Sequence, residues 1–204
     1  QTGDSAVTAV DPVTGAIGAS VALPGEATTI ALSDDGQFAY VTSIYPQVVH
    51  RLRLPGLQPD GVITLDPMRQ PLQVAVAPGA PQTIAVSQSM PAAERSIAIY
   101  DGAVKRDQEA SIGTSMAWNS TATEIYSTGS HSNALYRWSV TPGGMELMDT
   151  IALPDTASTV RQMFVESGQL YLSTGQRFDP VAGTFDTWIE SPCCNTVALD
   201  TLQG

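Results

Sequence analysis

Lysine is almost missing from this chain. A single one, Lys105, stands with eight arginines, and these nine bases face twenty acids for a net charge of −11. A polyanion partner needs a clustered basic face that displaces its counterions. The only local concentrations are Arg51 with Arg53 and Lys105 with Arg106, which read as exposed strand or turn residues. No nucleic-acid partner is expected. Long hydrophobic runs are lacking too: nothing approaches the ~18 apolar residues of a membrane-crossing helix, so no transmembrane segment is expected. No stretch carries the 3.6-residue period of a long amphipathic helix. The sequence opens at Gln1 without methionine or a signal-type apolar segment, and a processed mature form or a piece of something longer is expected.

Cysteine and histidine are scarce, at two each. Both cysteines fall on adjacent positions, Cys193 and Cys194. A trans peptide holds their Cα atoms about 3.8 Å apart, below the ~4.4 Å floor of ordinary disulfides. An oxidised pair would therefore close a strained ring. Three readings stay open: a structural vicinal disulfide, two unpaired buried thiols, or a redox or ligand-gating pair. Neither His50 nor His131 lies at ligand spacing from them, so no metal is expected, and no other cofactor either. His50, within Val48-Val-His-Arg-Leu52, reads as an outward-facing strand residue. His131, in Gly129-Ser-His-Ser-Asn133, is a loop residue that could serve as a ligand or general base. No catalytic residue is assigned, because no nucleophile is placed by motif.

Apolar residues make up 43% of the chain and charged ones 14%, the balance of a globular domain. Their order repeats. Asp11-Pro-Val-Thr-Gly15 returns as Asp179-Pro-Val-Ala-Gly183, 168 residues later, or four steps of 42. Ala31 in Thr-Ile-Ala-Leu-Ser finds its counterpart at Ala198 in Thr-Val-Ala-Leu-Asp. Between them stand Gln73-Val-Ala-Val-Ala-Pro78, Ser115-Met-Ala-Trp-Asn119 and Arg161-Gln-Met-Phe-Val165, which align Ala75, Ala117 and Met163 with Ala31. The next strand recurs as Phe38-Ala-Tyr-Val-Thr42, Thr83-Ile-Ala-Val-Ser87, Glu124-Ile-Tyr-Ser-Thr128 and Gln169-Leu-Tyr-Leu-Ser173. Alternation such as Ile97 and Ile99 against Ser96 and Ala98 marks strands. Asp35-Gly36, Gly143-Gly144 and Ser167-Gly168 supply tight turns. Units of roughly 40 to 45 residues with four short strands are the size of propeller blades.

The order of motifs in residues 7 to 43 resembles the YVTN-type (surface-layer-protein-like) repeat family of seven-bladed propellers. The other copies keep the strand order and lose many signature residues, as at Gly79-Ala-Pro-Gln82 and Asn119-Ser-Thr-Ala122. The expectation is an all-β fold: one propeller domain over residues 1–204, with repeat units at about 5–43, 44–89, 95–129, 132–175 and 176–204. In blades, residues 5–23 supply an outer pair, 28–66, 72–112, 114–153 and 160–190 four blades, and 195–200 one more inner strand. About four to five blades are then present, an open arc of a larger, seven-bladed ring that a longer chain or a partner completes; the alternative is a five-bladed closure in which the last inner strand meets the first outer pair, one strand short.

Equivalent inner-strand positions face the same region around a propeller axis. The alignment puts Thr29, Gln73, Ser115, Arg161 and Thr196 there, so Gln73, Ser115, Arg161 and the nearby His131 are the candidate ligand residues of a central channel. Trp118, Trp138 and Trp188, with Tyr126 and Tyr171, are expected to fill the space between blades. Asn119-Ser-Thr121 is a formal glycosylation acceptor with no expected meaning in a bacterial chain. The leading reading is a non-enzymatic scaffold, exported or surface-associated, whose partner is a protein, a glycan or another cell-envelope component. The resemblance also implies an alternative: part of a lactonase-like enzyme, or of a quinone- or copper-dependent dehydrogenase.

Overall fold

The computed structural model describes residues 5–90, 94–129, 132–154 and 160–188, all strand, turn and loop without a helix among them. A hairpin of β1 (Ser5–Val10) and β2 (Ile17–Leu23) comes first. Blade I follows with β3 (Ala27–Leu32), β4 (Phe38–Ser43), β5 (Val48–Arg53) and β6 (Gln58–Thr64). Blade II has β7 (Gln70–Ala77), β8 (Ala80–Ser89), β9 (Arg95–Asp101) and the short β10 (Val104–Lys105). Blade III has β11 (Ser115–Trp118), β12 (Glu124–Thr128), β13 (Ala134–Thr141) and β14 (Gly144–Ala152). Blade IV has β15 (Met163–Glu166), β16 (Gln169–Leu172), β17 (Gln176–Asp179) and β18 (Thr184–Thr187). Each blade is an antiparallel meander in chain order, and among the described residues one isolated bridge, Gln108 with Gly144, is the sole backbone pairing between sheets.

The sheets meet face to face. β3 lies beside β7, β7 beside β11, and β11 beside β15, so the first strand of every blade gathers along one axis. Four apolar clusters fill the four interfaces. Leu23, Val41 and Leu52 join the first hairpin to blade I. Tyr40, Val49, Val74 and Ile84 join blades I and II; Ile97, Ile99, Trp118 and Trp138 join II and III; Tyr126, Leu135, Leu170 and Phe178 join III and IV. This is a β-propeller of partial blades. Trp118, Trp138 and Tyr126 fill inter-blade space as expected from the sequence.

Both faces of a middle blade are therefore buried. Ile97 and Ile99 point toward blade III while Ala98 points toward blade I, and all three are fully enclosed. The same geometry corrects the reading of His50. It is buried, because Val41 opposite it in the ladder belongs to the cluster that the first hairpin covers. Desolvation pulls its pKa below the ordinary histidine value, and a hydrogen bond to the Pro24 backbone opposes that shift.

The two Asp-Pro turns fold alike. Gly15 and Gly183 donate their N–H groups to the carbonyls of Asp11 and Asp179, both at 2.8 Å, with φ of 70° and 68°. The Asp179 carboxylate also accepts from Val181 N (2.8 Å) and Ala182 N (3.0 Å). Asp179→Ala is expected to accelerate amide exchange at Val181 and Ala182 while leaving global unfolding nearly unchanged, because the turn is exposed.

The outer strand of blade II is irregular. After Gly102 turns the chain, β10 pairs with β9 over two residues, and the chain rejoins β9 at Ala110, which exchanges two bonds of 3.0 Å with Ile97. Between them it bulges toward blade III: Gln108 N bonds Gly143 O at 2.8 Å and Met145 N bonds Gln108 O at 3.1 Å, stitching blade II to blade III. Gly144 sits there at φ 132°, and a Cβ on it would lie 2.1 Å from the Gln108 carbonyl oxygen. Only glycine allows that approach.

Candidate functional site: the axial cavity

Antiparallel meanders send the first strand of each blade away from the end of the molecule where the outer-to-inner crossovers and the β4–β5 type turns lie. The leading ends of the inner strands thus converge at that crossover face. They enclose a cavity of about 420 Å³ lined by Thr29 and Ile30 of β3, Leu72, Gln73 and Val74 of β7, Thr114 before β11, and Arg161 and Gln162 before β15. Thr29, Gln73 and Arg161 therefore share one lining.

Ladder register revises the alignment in blade IV. Ala31 pairs with Tyr40, Ala75 with Ala85, Ala117 with Tyr126, and Phe164 with Tyr171. Phe164, not Met163, is the equivalent of the three alanines, and the position matching Thr29, Gln73 and Ser115 is Gln162. Arg161 stands one residue ahead of it, exposed at the cavity, with its N–H donating to Ser173 Oγ at 3.1 Å. No carboxylate pairs with its guanidinium among the described residues.

Gln73 has a structural task. Its Oε1 accepts the Met116 N–H at 3.0 Å and its Nε2 donates to the Met116 carbonyl at 3.1 Å, so one side chain replaces a ladder partner between blades II and III. Trp118 Nε1 adds a bond to Ala75 O at 3.2 Å. Gln73→Leu leaves both Met116 groups unpaired and is expected to cost about 2 kcal/mol, measured by urea unfolding as a lower midpoint at unchanged slope. Ser115 does not line the cavity: it is fully buried, and its Oγ has no hydrogen-bond partner among the described residues. Thr114 does line it, and its Oγ1 is likewise buried without a partner among the described residues. His131, Cys193, Cys194 and Thr196 lie outside the described residues.

Sequence reasoning missed a second polar centre, at the rim between blades I and II. Lys105 pairs with Asp66, and with Glu109 at 2.8 Å; Arg69 reaches Glu109 at 2.8 Å and Ser96 Oγ at 2.6 Å. Burial works to raise the Glu109 pKa. Hydrogen bonds from Lys105 and Ser96, with the charge of Arg69, prevail and hold it below the usual glutamate value. Tyr100, enclosed beside this group, is pushed up to about 12 by burial and then by the Asp66 charge. The neighbouring Arg106 forks onto Asp101 at 2.8 and 3.0 Å and donates to Thr141 O at 2.8 Å. Arg51 (2.8 Å) and Arg53 (3.0 Å) both close on Asp60. The basic pairs read as exposed are thus neutralised in place, and Arg51 and Lys105 are half-buried.

No protein family profile matches the sequence, and no curated protein does. Solved structures do match in shape. A functionally unknown protein from Desulfotomaculum acetoxidans superposes with a TM-score of 0.65 at 13% identity, over 84% of this chain and 58% of that one. The WD40 domain of Toxoplasma gondii coronin superposes with a TM-score of 0.61 at 14% identity, over 89% of this chain and 49% of that one. The chain therefore spans roughly half of each solved relative, and the likeness is one of fold: a β-propeller.

Proposed function

We propose that the protein is a non-enzymatic propeller scaffold of the YVTN type, exported or displayed at the cell surface, whose crossover face docks a protein or other cell-envelope partner. One observation carries this reading. At the crossover end Tyr45 in the β4–β5 turn is 57% exposed and Met68 in the β6–β7 crossover 67%, and Ile30 of the cavity lining is 54% exposed, while Gln73 in the cavity wall is engaged in joining blades. Large exposed apolar side chains on the same end as a polar-lined depression are the features of a docking surface. The acidic, lysine-poor composition and the repeat order support an extracytoplasmic location.

The test is retention of envelope proteins on the immobilised protein, compared with Tyr45→Glu/Met68→Glu and with a control at the opposite end, Val181→Glu. A discrete partner retained by the protein and the control but lost by the double variant is expected. Equal retention by all three contradicts the reading, as does hydrolysis of a lactone, or substrate-dependent reduction of an added quinone, that Arg161→Ala abolishes. That last outcome would favour the enzyme alternative, with Arg161 as its anion-holding group.

A further inference from the structure

His50 takes no part in the axial cavity or the rim network, yet it is 6% exposed and its Nε2 is buried without a hydrogen-bond partner among the described residues. In the ladders it stands between Val41 and Val62. Two positions along β5, Leu52 shares its face and belongs to the cluster beneath the first hairpin. The imidazole thus lies under the β1–β2 hairpin. It hydrogen-bonds the Pro24 backbone at the exit of β2, whose carbonyl also accepts from Ser43 Oγ at 3.1 Å.

Among the described residues no charge stands ready to pair with a proton on this ring. β1, β2 and β3 carry no titratable side chain. Tyr40 of β4 and Asp60 of β6 sit on the other side of the sheet, toward blade II, where Asp60 holds Arg51 and Arg53 of β5 against the Phe38 ring. Asp11, in the hairpin turn, is exposed and held by Val13 and Thr14. Glu26, in the β2–β3 crossover, and Tyr45, in the β4–β5 turn, are exposed as well.

We propose that His50 is a protonation latch: its neutral imidazole seats the β1–β2 hairpin on blade I, and its charged form releases it. A buried imidazolium without a counter-ion costs free energy that the Pro24 bond returns only in part. Opening the interface gives the charge to water. The hairpin is the element able to yield, because among the described residues no ladder ties it to blade I and its cluster is the smallest of the four. Its outward residues Ala6, Thr8 and Val10 are exposed. Release uncovers Val41, Leu52 and Leu57, an apolar face of blade I. Because the folded pKa lies below the ordinary 6.5, the latch holds fully above pH 6.5 and weakens as pH falls toward the folded value.

Amide exchange in the intact chain tests this. Ser5 N–H bonds Gly25 O at 3.2 Å and Ala27 N–H bonds Ser5 Oγ at 3.0 Å, so both report the seat of the hairpin. Their opening constants, taken as exchange rates divided by intrinsic chemical rates, are expected to rise several-fold from pH 7.5 to 5.0, with a ceiling of about thirtyfold if only the open state takes the proton at pKa 6.5. The Met116 N–H, between blades II and III, is expected to stay unchanged. His50→Leu keeps the apolar fill and is expected to flatten the response at Ser5 and Ala27. Should that variant not fold, titration of the His50 ring decides, with the Cε1 proton shift expected to move at a midpoint below 6.5. A flat response in the protein, a rise shared equally by Met116, a response surviving in His50→Leu, or a ring midpoint at or above 6.5 overturns the proposal.

Discussion

Tyr126→Ala is expected to lower the unfolding free energy by about 4 kcal/mol, the usual cost of deleting a buried aromatic ring. Tyr126 is 2% exposed, wedged between blades III and IV with Phe178 at 6.4 Å and nearly edge-on. Neither side of that interface has a ladder joining it to the other, so apolar contact supplies the cohesion and the hole cannot be closed by sliding one strand. The hydroxyl matters much less. Burial, then the Glu124 charge, push the Tyr126 pKa up to about 12, so the phenol stays neutral at working pH. Tyr126→Phe should cost about 1 kcal/mol or less. Denaturant unfolding of the two variants separates ring from hydroxyl; equal losses would contradict the assignment of cohesion to the ring.

The second large effect belongs to Glu109. Its carboxylate is 17% exposed and answers both Lys105 and Arg69, so Glu109→Ala leaves Arg69 without a carboxylate and Lys105 with Asp66 alone, beside a buried tyrosine. A loss of about 3 kcal/mol is expected, at the low end for a broken buried pair because the site is partly wet. The pH dependence has a definite sign. The folded Glu109 pKa lies below its reference value of 4.5. The pair's contribution is thus complete above that value and drains away as pH falls through the lower, folded one. Stability measured from pH 6 downward should fall more steeply in the protein than in Glu109→Gln. Parallel curves would contradict the sign.

Much of the architecture was legible in the residues because its landmarks are local. Asp11 to Gly15 and Asp179 to Gly183 announce the same turn wherever they occur. Ala31, Ala75 and Ala117 mark positions where inner strands crowd, and four of the sheets fall close to their expected limits. The fourth copy slipped by one residue for two physical reasons. Its crossover, residues 153–162, is the longest among the described blades, and Phe164 has replaced the alanine that marks the register elsewhere. Matching the apolar Met163 to Ala117 was then the better fit by pattern and the wrong one by hydrogen bonds.

His50 illustrates a different limit. Period-two alternation separates two faces of a strand, and it reveals the outside only when one face meets water. In a stack of blades both faces are covered, so alternation sorts residues between two interfaces. The rim network escaped notice because its members, Asp66, Arg69, Ser96, Lys105 and Glu109, come from different strands and crossovers, and only folding brings them within bonding distance. At the axial cavity the composition of the lining was largely legible, whereas the engagement of Gln73 with Met116 depends on the spacing between two sheets.

Radial stacking of separate sheets is the claim from which the interfaces, the cavity and the docking face all follow. Contacts between blades II and III, from the Gln73 side-chain amide protons to the Met116 backbone N–H and from the Trp118 indole N–H to Ala75, measure it most directly. Radial blades predict both sets in one nuclear Overhauser spectrum. Their absence, with ladder contacts from β6 to β7 in their place, would mean one continuous sheet and would contradict the account.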